Sequence, residues 1–426
     1  MNLKSIYNIC SVILIIAITF SCVQKIDKKL PQNKKMTAEK ILGNPNYLAI
    51  SYGGYRGKTR EIQPTIEDLK EDMKILSAMG IKIIRTYNVQ PNLPHASNIL
   101  KAISELKKED TNFEMYVMLG AWIDCLNAWT DKIPNHNQES PQNEGEINRA
   151  IKLAKEYPDI VKIIAVGNEA MVKWATSYYV QPHVILKYVN KLQELKKTGE
   201  LPKELWITSS DDFASWGGGE NSYKTKDLED LIKAVDYVSM HTYPYHYSHY
   251  VSGFWKVPEN EEHLSDKEKV DKAMQRALEK SKKLYKNVSE YVKSIDSTKT
   301  IHIGETGWAT NSNGFYGVNG SRATDEYKQG LYYKSLREWT NREGISCFYF
   351  EAFDEQWKDA NNENGSENHF GLINLKGEAK YPLWEMVDNG VFKGLSRNGK
   401  PITKTFKGDK EKMMKTVLVP NTEYPK

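Results

Sequence analysis

IIAVGNEA, residues 163–170, and IHIGETGW, residues 301–308, decide how this chain is read. Each is a run of apolar β-formers that passes through Gly into a carboxylate, Glu169 in one and Glu305 in the other. Continuous apolar runs of this kind mark parallel strands buried on both faces. A carboxylate at the C-terminal end of such a strand lies where a β/α barrel keeps its reactive groups. Two of them on different strands make the kind of carboxylate pair that cleavage of a glycosidic bond requires.

The same pattern recurs along the chain. Strand candidates are Tyr47–Gly53, Ile81–Tyr87, Phe113–Gly120, Val161–Gly167, Leu205–Ser210, Asp236–Tyr243, Thr300–Glu305 and Ser346–Phe353. Amphipathic helical stretches fill the gaps. The first, IEDLKEDMKILSAMG, puts Leu69, Met73 and Leu76 on one face and meets a C-cap at Gly80. Others span Asn98–Lys108, Glu146–Tyr157, His183–Lys197, Asp227–Ala234, Asp266–Ile295 and Thr324–Asn341. An open doubly wound sheet would alternate too, but eight uninterrupted βα units predict a (β/α)8 TIM barrel forming one catalytic domain.

The 426 residues carry a net charge of only +4, with acidic and basic residues interspersed. That excludes the basic stripe of a nucleic-acid binder. Residues 1–21 read as a signal segment: Lys4, an apolar run from Ile9 to Phe20, then Ser21 before Cys22. A short apolar run ending in a small residue and a cysteine resembles a bacterial lipoprotein signal, with Cys22 lipidated; the run is too short to span a bilayer comfortably. Residues 22–45, rich in Lys, Gln and Asn, are expected to tether the lipid to the barrel at 46–390, leaving a C-terminal extension at 391–426. The expected location is outside the cytoplasm, at a membrane. Cys125 and Cys347 sit near strands three and eight, which are not neighbours in a closed barrel, so two buried thiols are expected rather than a bridge.

Strands four and seven face each other across a barrel mouth, so Glu169 and Glu305 can converge. Asn168 offers an amide to a sugar 2-OH, a contact that strengthens in the transition state. At this point the chain resembles glycoside hydrolase family 17, the β-1,3-glucanases. The stretches that carry the resemblance are IRTYN around Tyr87, IIAVGNE, the HTYPY run containing Tyr243, GETGW, FEAFDEQWK and ENHFGL, together covering roughly Tyr47 to Leu375. The start AISYGGYRG is closer to bacterial members, some of which transfer glucan instead of hydrolysing it.

The resemblance implies Glu169 as general acid/base and Glu305 as nucleophile. Glu355 and Lys358 match an acidic and basic pair after strand eight, the lysine helping to keep the nucleophile ionised, and Glu367 matches a further acidic position. Trp308 is expected to stack on sugar and Tyr243 to donate to Glu305, with Tyr52 and Tyr87 ending strands one and two. Trp122, Trp129, Trp174, Trp216 and Trp357 lie in loops expected on the same barrel face. His241, His246 and His249 cluster without an acidic or cysteine ligand at metal spacing and are assigned to loop packing. No metal or cofactor is implied. The expected partner is a β-1,3-glucan such as laminarin, cut internally by a retaining double displacement in a monomer. Two alternatives stay open: a transglycosylase using the same glutamates, and a catalytically silent glycan-binding lipoprotein. If Cys22 bears the lipid, Cys22→Ala releases the protein from the membrane fraction; persistent sedimentation with membranes would count against it.

Overall fold

The computed structural model describes residues 36–423; Cys22 and the segment before it lie outside them. Eight parallel strands close into a barrel: β1 Leu48–Ser51, β2 Ile81–Arg85, β3 Tyr116–Ala121, β4 Val161–Asn168, β5 Trp206–Asp212, β6 Val238–His241, β7 Ile301–Gly307 and β8 Cys347–Phe350. Each strand pairs with its neighbours in chain order, and β8 returns to β1. Helices cover the outside: α1 Ile66–Ala78, α2 His95–Glu109, α3 Asn143–Glu156, α4 Pro182–Lys197, α5 Lys226–Ala234, α6 Asp266–Ile295 and α7 Glu326–Arg342. Helix α1 starts at a capping box between Thr65 and Asp68, and α6 at one between Ser265 and Glu268. The β/α barrel expected from the sequence is therefore the architecture found.

Alternation along the strands sorts the core into two layers. Ala49, Ile83, Met118, Ile163, Ala165 and Phe348 pack together inside the barrel, and the one-turn helix Ala38–Ile41 joins them. Residues 36–45, expected to belong to the tether, are therefore part of the barrel domain, because Ala38, Ile41 and Leu42 are apolar and buried. Ile50, Ile84, Val117, Leu119, Ile164, Val166 and Ile303 point the other way, into the larger cluster shared with the helices. On the inward face the apolar residues give way to polar ones toward the C-terminal ends. Ile83 is followed two residues on by Arg85, and Tyr237 by Ser239 and His241; all are buried.

Two irregularities set the site. The β4–β5 register slips between Ala165 and Asn168, and Gly167 there has φ +83. The β7 register slips against both neighbours, between Met240 and His241 on one side and between Cys347 and Tyr349 on the other. Extra residues of this kind reverse which face a side chain takes. They aim Asn168 and Glu305 into the barrel mouth.

The segment after residue 390 folds back on the barrel. Arg397 and Asp72 of α1 are fully buried, with Nε donating to Oδ1 at 2.9 Å. The backbone N–H of Leu418 donates to Asp325 at 3.2 Å. Cys125 and Cys347 are separate buried thiols.

Candidate active site

Glu305 sits at the centre of the mouth, 8 % exposed. Its Oε1 accepts from the Tyr243 hydroxyl at 2.6 Å and its Oε2 from the Tyr87 hydroxyl at 3.0 Å. Arg85, buried on β2, donates one guanidinium nitrogen to Oε2 and the other to Oδ1 of Asn168. A guanidinium only donates, so the Asn168 oxygen must face it and the amide NH2 is left free to donate elsewhere. Gly304 has no room for a side chain, because a Cβ there would strike Ser239 and Ser210. The glycine in IHIGETGW thus makes space for the hydroxyl network described next.

Glu169 follows Gly167 and Asn168 with φ +45, an uncommon backbone conformation for a non-glycine residue. Its Oε1 lies 3.0 Å from Nδ1 of His241, and Nε2 of that ring lies 2.8 Å from Ser210 Oγ, which lies 2.9 Å from Ser239 Oγ. Backbone bonds knit the same place together: Glu169 N–H donates to Ser210 O at 2.9 Å and Thr242 N–H to Glu305 O at 3.1 Å.

The two carboxyl groups are driven apart in acidity. Burial raises Glu169, the negative Glu305 raises it further, and Arg85 opposes only in part; the result is a pKa pushed up to about 8. Burial would raise Glu305 as well, but cations and donors reverse that and hold it down to about 2. A protonated His241 would lower it most, yet burial drops His241 to about 4. At neutral pH the work therefore falls to Arg85, Tyr243 and Tyr87. Near pH 7 Glu169 keeps its proton and Glu305 does not, the split that marks an acid beside a nucleophile. A neutral His241 whose Nε2–H donates to Ser210 leaves Nδ1 to accept the Glu169 proton.

Two cavities meet at this pair. One, of about 750 Å³, is lined by Asn168, Tyr87, Trp122, Trp129, Glu355 and Trp357 among others. The other, of about 740 Å³, includes Glu169, Trp174, Asp212, Tyr247 and Phe370. Glu305, Phe350 and Glu367 line both. Together they make a groove across the barrel mouth.

Most of the expected site residues converge here, and some take different parts. Tyr243 and Tyr87 both touch Glu305. Tyr52 borders the first cavity, but its hydroxyl donates to Asp72 at 2.9 Å and is not offered to the groove. Glu355 accepts from Tyr55 N–H at 3.1 Å and from the Trp357 indole at 2.9 Å, so it braces the groove wall. Lys358 pairs with Glu351 at 2.6 Å and lies 3.5 Å from Glu355; the cation in contact with Glu305 is Arg85, not this lysine.

Trp308 is not a stacking surface. It is fully buried, its indole donates to Ala323 O at 2.8 Å, and its ring packs against Tyr332 and Trp255. The reason is the slip in β7: with Glu305 turned inward, the residue three further on faces the helix layer. Trp216 is likewise core, its indole donating to Ser239 O at 3.0 Å. His241, expected to pack in a loop, ends β6 and is the partner of Glu169, while His246 borders the second cavity. Period-two spacing of Tyr237, Ser239, His241 and Tyr243 was the signal that could have found it. Arg85 stands in the IRTYN stretch, where nothing local in the sequence signals its contact with Glu305 across the barrel.

A model of the BtgE/BtgC glycoside hydrolase domain matches residues 49–371. In sequence, the chain is 26% identical over 328 residues to a glucan 1,3-beta-glucosidase of Arthroderma benhamiae, covering 74% of this chain and 83% of that one. It is 24% identical over 336 residues to a putative glucan endo-1,3-beta-glucosidase of Aspergillus niger, of which the match spans 40%. Among solved structures it is similar to an endo-laminarinase from Formosa Hel1_33_131, with TM-score 0.90, 62% identity, and coverage of 92% of this chain and 99% of the other. A family 17 β-1,3-glucanosyltransferase from Rhizomucor miehei shares the fold at TM-score 0.53 and 19% identity, covering 79% of this chain and 96% of that one.

Replacing Arg85 by Met takes away the cation on Glu305, which then holds its proton to higher pH. The acid limb of the pH–activity profile is expected to move upward by about one pH unit or more. An acid limb that stays in place would contradict the part assigned to Arg85.

Proposed function

The chain belongs to the BtgE/BtgC glycoside hydrolase domain family, and from that premise we propose that it is an endo-acting β-1,3-glucanase working on laminarin-type glucan by retaining double displacement. The substrate class is supported by the 62% identity to an endo-laminarinase over nearly its whole length. The finer placement in glycoside hydrolase family 17 is supported by the ordered stretches from IRTYN to ENHFGL.

One observation weighs most. Two carboxyl groups share a groove open on both sides of them. One, Glu305, is held by Arg85 and two tyrosine hydroxyls. The other, Glu169, has no cation in contact among the described residues and is raised by burial and by the Glu305 charge. Glu305 attacks the anomeric carbon while Glu169 protonates the departing glycosidic oxygen, forming a covalent glycosyl ester. Once the leaving sugar has gone, Glu169 is ionised and takes a proton from water, which opens the ester with overall retention. Tyr243 and Tyr87 keep Glu305 oriented; His241 orients Glu169.

The groove also acquires a direction. Asn168, the candidate donor to the 2-OH of the attacked sugar, lines the first cavity but not the second. Glu169, the donor to the leaving oxygen, lines the second but not the first. The first cavity therefore holds the glycone and the second the leaving chain. The protein is further read as tethered outside the cytoplasm by a lipid on Cys22, on the strength of the residues around it.

Glu169→Gln and Glu305→Gln are each expected to cut laminarin hydrolysis by about 10²-fold or more with an unchanged circular dichroism spectrum. NMR of the first-formed products is expected to show the β anomer. Near-normal turnover in either variant, or an initial α product, would overturn the mechanism.

A further inference from the structure

The exposed large apolar side chains among the described residues have an uneven distribution. Trp129, Trp174 and Tyr250 are among them, and all three lie in segments that follow the C-terminal ends of barrel strands and line the groove. Trp129 differs from the others in how it is held. Its backbone has φ +60, in the left-handed region where bulky residues are true outliers. Its ring stacks on Tyr178 with centroids 4.9 Å apart and planes 21° from parallel. Its indole N–H donates to Asp124 Oδ1 at 3.2 Å.

Asp124 serves two rings at once, since the Trp122 indole donates to the same oxygen at 2.6 Å, and Trp122 also packs on Tyr178 at 5.5 Å. With one face on Tyr178 and its N–H fixed, Trp129 still leaves 63% of its surface open. Strained backbone and a braced but exposed ring belong to ligand clamps, because ordinary packing would bury the ring. Trp122, Asp124 and Trp129 all line the glycone cavity.

We infer that Trp129 is an outer stacking platform for the glycone chain, pre-set by Tyr178 and Asp124, which makes the groove favour long β-1,3-glucan over short oligosaccharides. This rests on the glucanase reading and on the direction given to the groove. The apolar face of a pyranose ring stacks on an indole without needing a particular hydroxyl pattern. A platform at the groove rim touches only those chains that extend beyond the sugars next to the cleaved bond. Tyr178 and Asp124 are positioning residues that act through the indole.

The test compares wild type with Trp129→Ala and Trp129→Phe in two ways. Affinity electrophoresis in laminarin gels reads binding without cleavage, and the ratio of kcat/KM on laminarin to that on laminaritriose reads chain-length preference. Trp129→Ala is expected to weaken laminarin binding, and to lower the ratio, by about tenfold through KM. Trp129→Phe, which keeps a flat ring, should fall between. Unchanged retardation, or equal losses on both substrates, would overturn the platform. Retardation that depends on Trp129 in a protein that cuts neither substrate would keep the platform and sink the glucanase reading instead.

Discussion

The site depends on a single guanidinium. Arg85 is buried on β2 and reaches Glu305 with one nitrogen and Asn168 with the other. An unpaired cation there would be costly to bury, and so would an unpaired carboxylate. Their pairing lets the barrel hold Glu305 ionised although it is buried. That negative charge adds to burial in keeping the Glu169 proton on. The same arginine thus lowers Glu305 directly and acts on Glu169 in two opposed ways, lowering it by its own charge and raising it through the Glu305 charge that it sustains, while fixing the orientation of Asn168.

The sequence made the barrel legible because apolar runs and helical periodicity are local signals. All eight strands lie within the predicted stretches or overrun them by a residue or two, and Glu169 and Glu305 stand at the ends expected. What stayed illegible was the facing of individual side chains. A strict period of two from Ile301 and Ile303 would send Glu305 outward with them; the slip in β7 turns it inward. That same slip sends Trp308 to the helix layer, where its bulk serves packing. Aromatic residues in a row of loops look alike in sequence, yet Trp216 is core and Trp129 is open, a difference that only long-range packing decides.

The groove divides its chemistry between the two ends. The cavity assigned to the glycone is braced by charges: Glu355 supports Tyr55 and Trp357, and Arg60 lies over the Trp357 ring. The C-terminal segment contributes indirectly, because Arg397 anchors Asp72, which in turn accepts from the Tyr52 hydroxyl and so fixes a residue that borders that cavity. The cavity assigned to the leaving chain carries Trp174, Tyr247 and Phe370, and beside Glu169 it holds a second carboxyl, Asp212, which burial raises well above the usual range. A segment beyond the matched domain, residues 49–371, therefore helps to shape one half of the groove.

The mechanism requires the two glutamates to rest in opposite protonation states at neutral pH. Carboxyl ¹³C NMR titration of glutamate-labelled protein, with Glu169→Gln and Glu305→Gln used to assign the signals, measures this directly. One carboxyl is expected to titrate far below the other, Glu169 the higher, and the Glu169 midpoint to fall when Glu305 becomes Gln. Two carboxyls that both titrate near the ordinary glutamate value of about 4.3 would contradict it.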